Sequence, residues 1–205
     1  MADAGLSSMQ DSILKEIGTV GTAHAATALS KMTGLEVKVK PTTTEVMPLE
    51  EAYKIFSSVP EMQVGIYRSM REGLSGCLVF FIPKGRSYGL LDLLMNRPGG
   101  STAVLGEFEQ SALRESGGII CASYINAIAA MTKLTIRLTI PKLIFDQNGQ
   151  VLDAILKGLF PPSTEVVVIE NEFSLMDKSV TGYFLMVPEA GELSRLLGLL
   201  DAHIA

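Results

Sequence analysis

The sequence predicts an α+β fold of α/β sandwich-like type: a pseudo-twofold duplicated unit whose mainly antiparallel sheet carries two long helices on one face. Three observations predict it. First, residues 12–35, SILKEIGTVGTAHAATALSKMTGL, are echoed by residues 111–134, SALRESGGIICASYINAIAAMTKL, with nine of 24 positions identical at a constant offset of 99. Second, GCLVFFIP (76–83) runs ahead of LLDLL (90–94), and GYFLMVP (182–188) runs ahead of LLGLL (196–200). Third, apolar runs of strand length come in pairs separated by short turns, the mark of antiparallel neighbours. Two copies are too few for a solenoid. The expectation is one domain, 1–205, made of two repeats at about 8–97 and 107–204.

The elements follow in order. Residues 8–33 place apolar and small side chains at helical spacing, and Gly34 follows as a C-terminal cap. Leu35–Val39 alternates apolar with charged residues, as a half-exposed strand does. Pro48 opens a short helix over 49–57. Residues 61–69 and 74–82 read as strands around a Glu72-Gly73 turn, and 85–96 as a helix. The Pro98-Gly99-Gly100 stretch is the loop that joins the halves. The second half repeats the series: a long helix over 107–132, a strand over 134–140 and a short helix over 148–158. Strands over 164–172 and 180–187 and a last helix over 190–203 complete it.

Composition removes several function classes. The chain has 205 residues, 47% of them hydrophobic and only 19% charged, with net charge −5. No basic patch for nucleic acid is present, and a mildly acidic surface does not favour anionic membranes. No apolar stretch reaches the 18 or more residues of a spanning helix. Met1–Gly5 carries Asp3 and no basic segment, so no leader is predicted and the cytoplasm is expected. Cys77 and Cys121 lie far apart in apolar surroundings and read as buried thiols, and His24 and His203 form no metal pattern. No phosphate-binding glycine loop occurs.

On the first long helix, Leu14, Gly18, Gly21, Ala25, Ala28 and Met32 share one face, and that face is unusually small. Ser12, Glu16 and Thr19 line the other side and face water or a partner. The second helix places Leu113, Gly117, Ile120, Tyr124, Ile128 and Met131 inward and Ser111, Glu115 and Gly118 outward. Both helices therefore offer an outward glutamate at an equivalent place.

The stretches LKEIGTVGTAHAATALS and ALRESGGIICASYINAIA resemble the two helical signatures of the CheC/FliY/CheX family of chemotaxis phosphatases. The family pattern is Asp or Ser, three residues, Glu, two residues, Asn, 22 residues, Pro. Ser111, Glu115 and Pro141 match it; Ser12 and Glu16 match it too, with Pro41 one residue early. The resemblance implies a phosphorylated CheY-type response regulator as partner, with the magnesium ion on that partner and no cofactor or metal of the chain's own. It implies that the glutamate engages the receiver's lysine while the asparagine orients the attacking water. The candidate catalytic residues are thus Glu16, Thr19, Glu115 and Gly118, with Ser12 and Ser111 as partner-binding positions.

This chain departs from the pattern at the asparagines, which are replaced by Thr19 and Gly118. A glycine holds no water with a side chain, and a threonine hydroxyl stops short of an amide by roughly one bond, over an ångström. Loss of a positioning group costs about a hundredfold or more in rate. Three readings stay open: a phosphatase working through Glu16 and Thr19, a non-catalytic binding module for CheY-phosphate or the receptor deamidase CheD, and a flagellar-switch-like structural domain. Monomer and dimer are both compatible with the pattern.

Overall fold

A computed structural model of the chain describes residues 7–57, 63–146, 160–161, 164–175 and 178–204. Helix α1 (Ser8–Thr33) starts at a reciprocal cap. The Ser7 hydroxyl accepts from the Gln10 backbone N–H at 3.1 Å, and the Gln10 side chain accepts from the Ser7 N–H at 3.1 Å. It ends at Gly34, in the left-handed region at φ 72°. Ser30 Oγ then takes the Val37 N–H at 2.9 Å, and Thr33 Oγ1 takes the Leu35 N–H at 3.2 Å. Residues 35–37 are thereby spent on closing the helix. The strand expected over Leu35–Val39 instead begins at Lys38 and runs on as β1 (Lys38–Pro48).

Helix α2 (Leu49–Ser57) follows, then the hairpin β2 (Gln63–Arg71) and β3 (Gly76–Pro83), helix α3 (Lys84–Leu94) and helix α4 (Glu107–Thr132). Beyond α4 lie β4 (Arg137–Leu138), β5 (Lys142–Asp146), the hairpin β6 (Glu165–Leu175) and β7 (Lys178–Pro188), and helix α5 (Glu192–Ile204). The short helix expected over 148–158 lies outside the described residues.

The sheet has the order β1-β6-β7-β3-β2-β4, with β5 also on β2, and its described pairs are antiparallel. The first strand of each half lies on the hairpin of the other: β1 on β6, and β4 and β5 on β2. The two hairpins meet at β3 and β7 in the centre. Each half's sheet is therefore completed by its counterpart.

The two long helices α1 and α4 lie on one face as expected, and the short α2 covers the other. Leu78, Phe80 and Ile82 of β3 face α1, α3, α4 and α5 in the larger core. Cys77, Val79 and Phe81 face the other way, with Leu49 and Ala52 of α2. This double burial is why β3 reads as an unbroken apolar run rather than an alternating one. Each such side chain contributes about 1.5–3 kcal/mol on burial. The small-residue face of α1 packs as expected at Leu14, Gly18, Gly21 and Ala25, but Met32 is 42% exposed, and Ile13, Ile17 and Leu29 take the remaining core positions.

Both sheet edges carry a bulge beside a proline. In β1 the register against β6 shifts between Pro41 and Thr43, leaving Thr42 extra. On the other edge Leu138 pairs with Met70 and Lys142 with Tyr67, so three residues, Thr139-Ile140-Pro141, lie opposite two. The continuous strand expected over 134–140 is broken by this bulge. Thr139 Oγ1 replaces a backbone acceptor for the Ser69 N–H at 2.9 Å, and Pro141 has no N–H to offer.

Candidate functional site

Burial of Ile13, Leu14, Ile17, Gly18 and Gly21 turns Ser12, Lys15, Glu16 and Thr19 of α1 to solvent. Lys15 is held by Asp11, one turn back, at 2.6 Å, so it does not neutralise its neighbour Glu16. Glu16 has no hydrogen-bond or ion-pair partner among the described residues. The Thr19 hydroxyl donates to the Lys15 carbonyl at 2.9 Å, and Ser12 likewise donates to the Ser8 carbonyl at 2.9 Å. With its proton committed, Thr19 Oγ1 keeps its capacity as an acceptor. The β1 bulge borders this stripe: Pro41 and Thr44 lie against the neighbouring Gly18, and Thr42 is exposed. His24 is exposed farther along the same helix.

Ser111, Arg114 and Glu115 of α4 are exposed as expected, and Glu115 also has no polar partner among the described residues. Gly118 is not outward. It is buried, and a Cβ there would stand 3.1 Å from Pro141 Cγ. Its carbonyl also accepts Arg68 Nη1 at 3.1 Å, while Arg68 Nε donates to the Thr139 carbonyl at 2.8 Å. The burial of Gly118 has a plain cause. With no side chain at 118, the bulge closes onto the helix, and an arginine from the first half ties the two together. Burial holds the Arg68 guanidinium below its ordinary pKa, with the neighbouring Cys121 acting the other way.

Ile140 was not singled out by sequence reasoning. Alternation along Ile136, Leu138 and Ile140 points it to the same side as its partly buried neighbours. The bulge reverses it, and it is 82% exposed. The signal in the sequence was the Ile140-Pro141 dipeptide, since a proline inside an alternating run marks a bulge or an edge.

The two stripes are convex helix surfaces. The recess lined by Tyr67, Arg71, Glu72, Ser75 and Glu189 involves neither. A lone carboxylate and a hydroxyl on a convex surface enclose no small substrate. Among the described residues no three His, Cys, Asp or Glu side chains come together as a metal site, and no helix is long and apolar enough to cross a membrane.

No family model matches the chain. It is 25% identical over 206 residues to the CheY-P phosphatase CheC of Bacillus subtilis, covering 98% of both chains. Its fold matches the crystal structure of Thermotoga maritima FliY with TM-score 0.81 and 21% identity, over 97% of this chain and 98% of that one. It also matches one chain of the crystal structure of the CheX–CheY–BeF3–Mg complex of Borrelia burgdorferi, with TM-score 0.54 and 13% identity over 85% of this chain and 97% of that one.

Proposed function

Starting from a CheC-like chain, similar from end to end to CheC and sharing the fold of FliY, we propose that it docks a phosphorylated CheY-type response regulator through α1 and hydrolyses its aspartyl phosphate there. The observation that carries this reading is the pairing of Glu16 and Thr19, exposed about one turn apart on a convex helix, with Glu16 free of ion pairs among the described residues and the Thr19 proton committed to the Lys15 carbonyl, which leaves its oxygen as an acceptor.

The chemistry needs little else. Glu16 meets a lysine of the receiver and sets the helix in its active site. A water between Thr19 and the phosphorus donates one hydrogen bond to Thr19 Oγ1, which turns its lone pair toward the phosphorus. Its oxygen attacks in line, the bond from phosphorus to the aspartate oxygen breaks, and the carboxylate leaves while the water's proton passes to the phosphate. The receiver supplies the magnesium ion that offsets the phosphoryl charge. Thr19 performs the accepting half of what an amide does and reaches less far, so a modest acceleration is expected.

The test is phosphate release from the phosphorylated receiver of the same organism, with and without the full chain. Acceleration lost in Glu16→Ala supports the reading; a rate the chain leaves unchanged overturns it. Docking without hydrolysis is the second reading. It is favoured at α4 alone, where Gly118 has no side chain and is buried.

A further inference from the structure

The two halves of this chain complete one another. β1 lies on β6 and β5 on β2, so the first strands of each half close the sheet of the other. The core crosses the same boundary. Phe80 meets Phe173 edge-on with ring centroids 5.5 Å apart, Tyr124 fills the space beside Gly21, and Ile66 fills the space beside Gly117. Arg68 of the first half binds the Thr139 and Gly118 carbonyls of the second. Each of these contacts joins a surface of the first half to a surface of the second, and none requires both surfaces to belong to one chain. We infer that this inner surface fits a second copy of the chain, which exchanges halves through the segment between α3 and α4, and that Asp92 is the clasp that keeps the pairing within one chain.

In such an exchange the sheet and the core are rebuilt unchanged, and only the connecting segment takes a new path. How firmly that segment is held in its closed path therefore decides between one chain and two. Residues 95–106 are folded back. Asp92, in the last turn of α3, draws in the N–H groups of Gly100, Ser101 and Thr102 and the Thr102 hydroxyl. Among the described residues its carboxylate bonds to nothing but this connection. Gly100 takes the left-handed region at φ 84°. Arg97 reaches Glu109 at 3.2 Å and lies over the Phe108 ring. Extended, the same residues span about 40 Å, enough to carry the second half onto another molecule. The inference does not depend on the reading of α1, because Glu16, Thr19 and the bordering Pro41 and Thr44 belong to one half and travel together.

The test is light scattering of the full chain after refolding from urea at high protein concentration, with a reporter of which chain pairs with which. Lys40 of β1 and Glu172 of β6 lie opposite one another. Opposite residues of antiparallel strands stand about 4.5–5.5 Å apart at Cα, within reach of a disulfide. In Lys40→Cys/Glu172→Cys, oxidised with glutathione disulfide after refolding, that bond joins a closed chain to itself and joins two exchanged chains to each other. Cys77 and Cys121 are buried and stay out of it.

Asp92→Asn on this background should shift the equilibrium toward dimer on the order of a hundredfold, about tenfold for each of the two connections released. The dimer should run as a covalent pair on a denaturing gel without reductant. Gly100→Val strains the same turn at a place where a Cβ meets nothing within 4 Å, so it spares the core and should act in the same way. Gly191→Val carries equal strain, at φ 81° with nothing within 4 Å, in a turn inside the second half, and should stay closed. Monomers in both Asp92→Asn and Gly100→Val overturn the exchange, as do dimers whose disulfide stays within single chains. Exchange in Gly100→Val without exchange in Asp92→Asn overturns the clasp. Equal exchange in Gly191→Val also overturns it, since any loosening of the fold would then suffice.

Discussion

Gly21 of α1 and the ring of Tyr124 of α4 share one space: a Cβ at position 21 would stand 2.8 Å from Tyr124 Cε1 and closer still to Cδ1. The ring cannot step aside. It stacks on Phe184 with centroids 4.1 Å apart, and its hydroxyl donates to the buried Asn171 Oδ1. Gly21→Ala is therefore expected to destabilise the fold by about 1–3 kcal/mol, although alanine is the better helix former by about 1 kcal/mol. Urea unfolding measures the difference. Equal or greater stability would mean the ring has room to move.

Asp92 organises the loop between the halves. Its carboxylate accepts from the N–H groups of Gly100, Ser101 and Thr102 at 2.7, 3.1 and 2.9 Å and from the Thr102 hydroxyl at 2.6 Å. Burial pushes its pKa up, and these bonds more than offset it, so the folded value lies below the ordinary one. A depressed carboxylate contributes stability that is complete above the unfolded pKa of about 3.9 and fades as pH falls through the folded value. Asp92→Asn should cost about 2 kcal/mol or more at pH 7. Unfolding curves of the two proteins should draw together as pH falls below the ordinary carboxylate range, and a gap independent of pH would contradict the assignment.

Thr19→Asn restores an amide one bond longer than the hydroxyl on an exposed stripe, so phosphate release from the phosphorylated receiver should rise by about tenfold or more. Gly118→Asn should gain less, because its Cβ would press on Pro141 at 3.1 Å. Single-turnover release assays compare the two, and a larger gain at 118 would refute the asymmetry.

Arg68 serves two carbonyls, those of Thr139 and Gly118. In Arg68→Leu the Thr139 carbonyl loses its side-chain donor, at a cost of about 1–3 kcal/mol. Hydrogen exchange should quicken at Ser69 and Thr139, whose paired bonds hold the bulge. Unchanged exchange there would show that Pro141 alone keeps the segment in place.

Cys77 and Cys121 are buried free thiols, and burial pushes both pKa values up to about 12. Neither supplies thiolate near neutral pH. Alkylation at pH 8 should therefore follow global unfolding in urea, and rapid labelling of the native chain would contradict it.

Much of this protein was legible in its sequence because local chemistry decides it. The long helices run over the predicted residues, since their apolar spacing and the glycine at 34 act within a turn or two. The exposure of Ser12, Glu16, Thr19, Ser111 and Glu115 follows from the same periodicity. The edges of the sheet were not legible. Leu35 to Val37 alternate like a strand but are captured by Ser30 and Thr33. Residues 134–140 also alternate, yet a bulge splits them and turns Ile140 outward. Gly118 occupies an outward position by helical count and is buried because Pro141 and Arg68, from two other segments, close over it. By itself the sequence determined where the helices run and which glutamates meet solvent, for those depend on spacing along one segment. Only the tertiary structure decided that Gly118 is covered and Ile140 exposed, because a glycine's exposure and an isoleucine's direction are set by what distant strands bring against them.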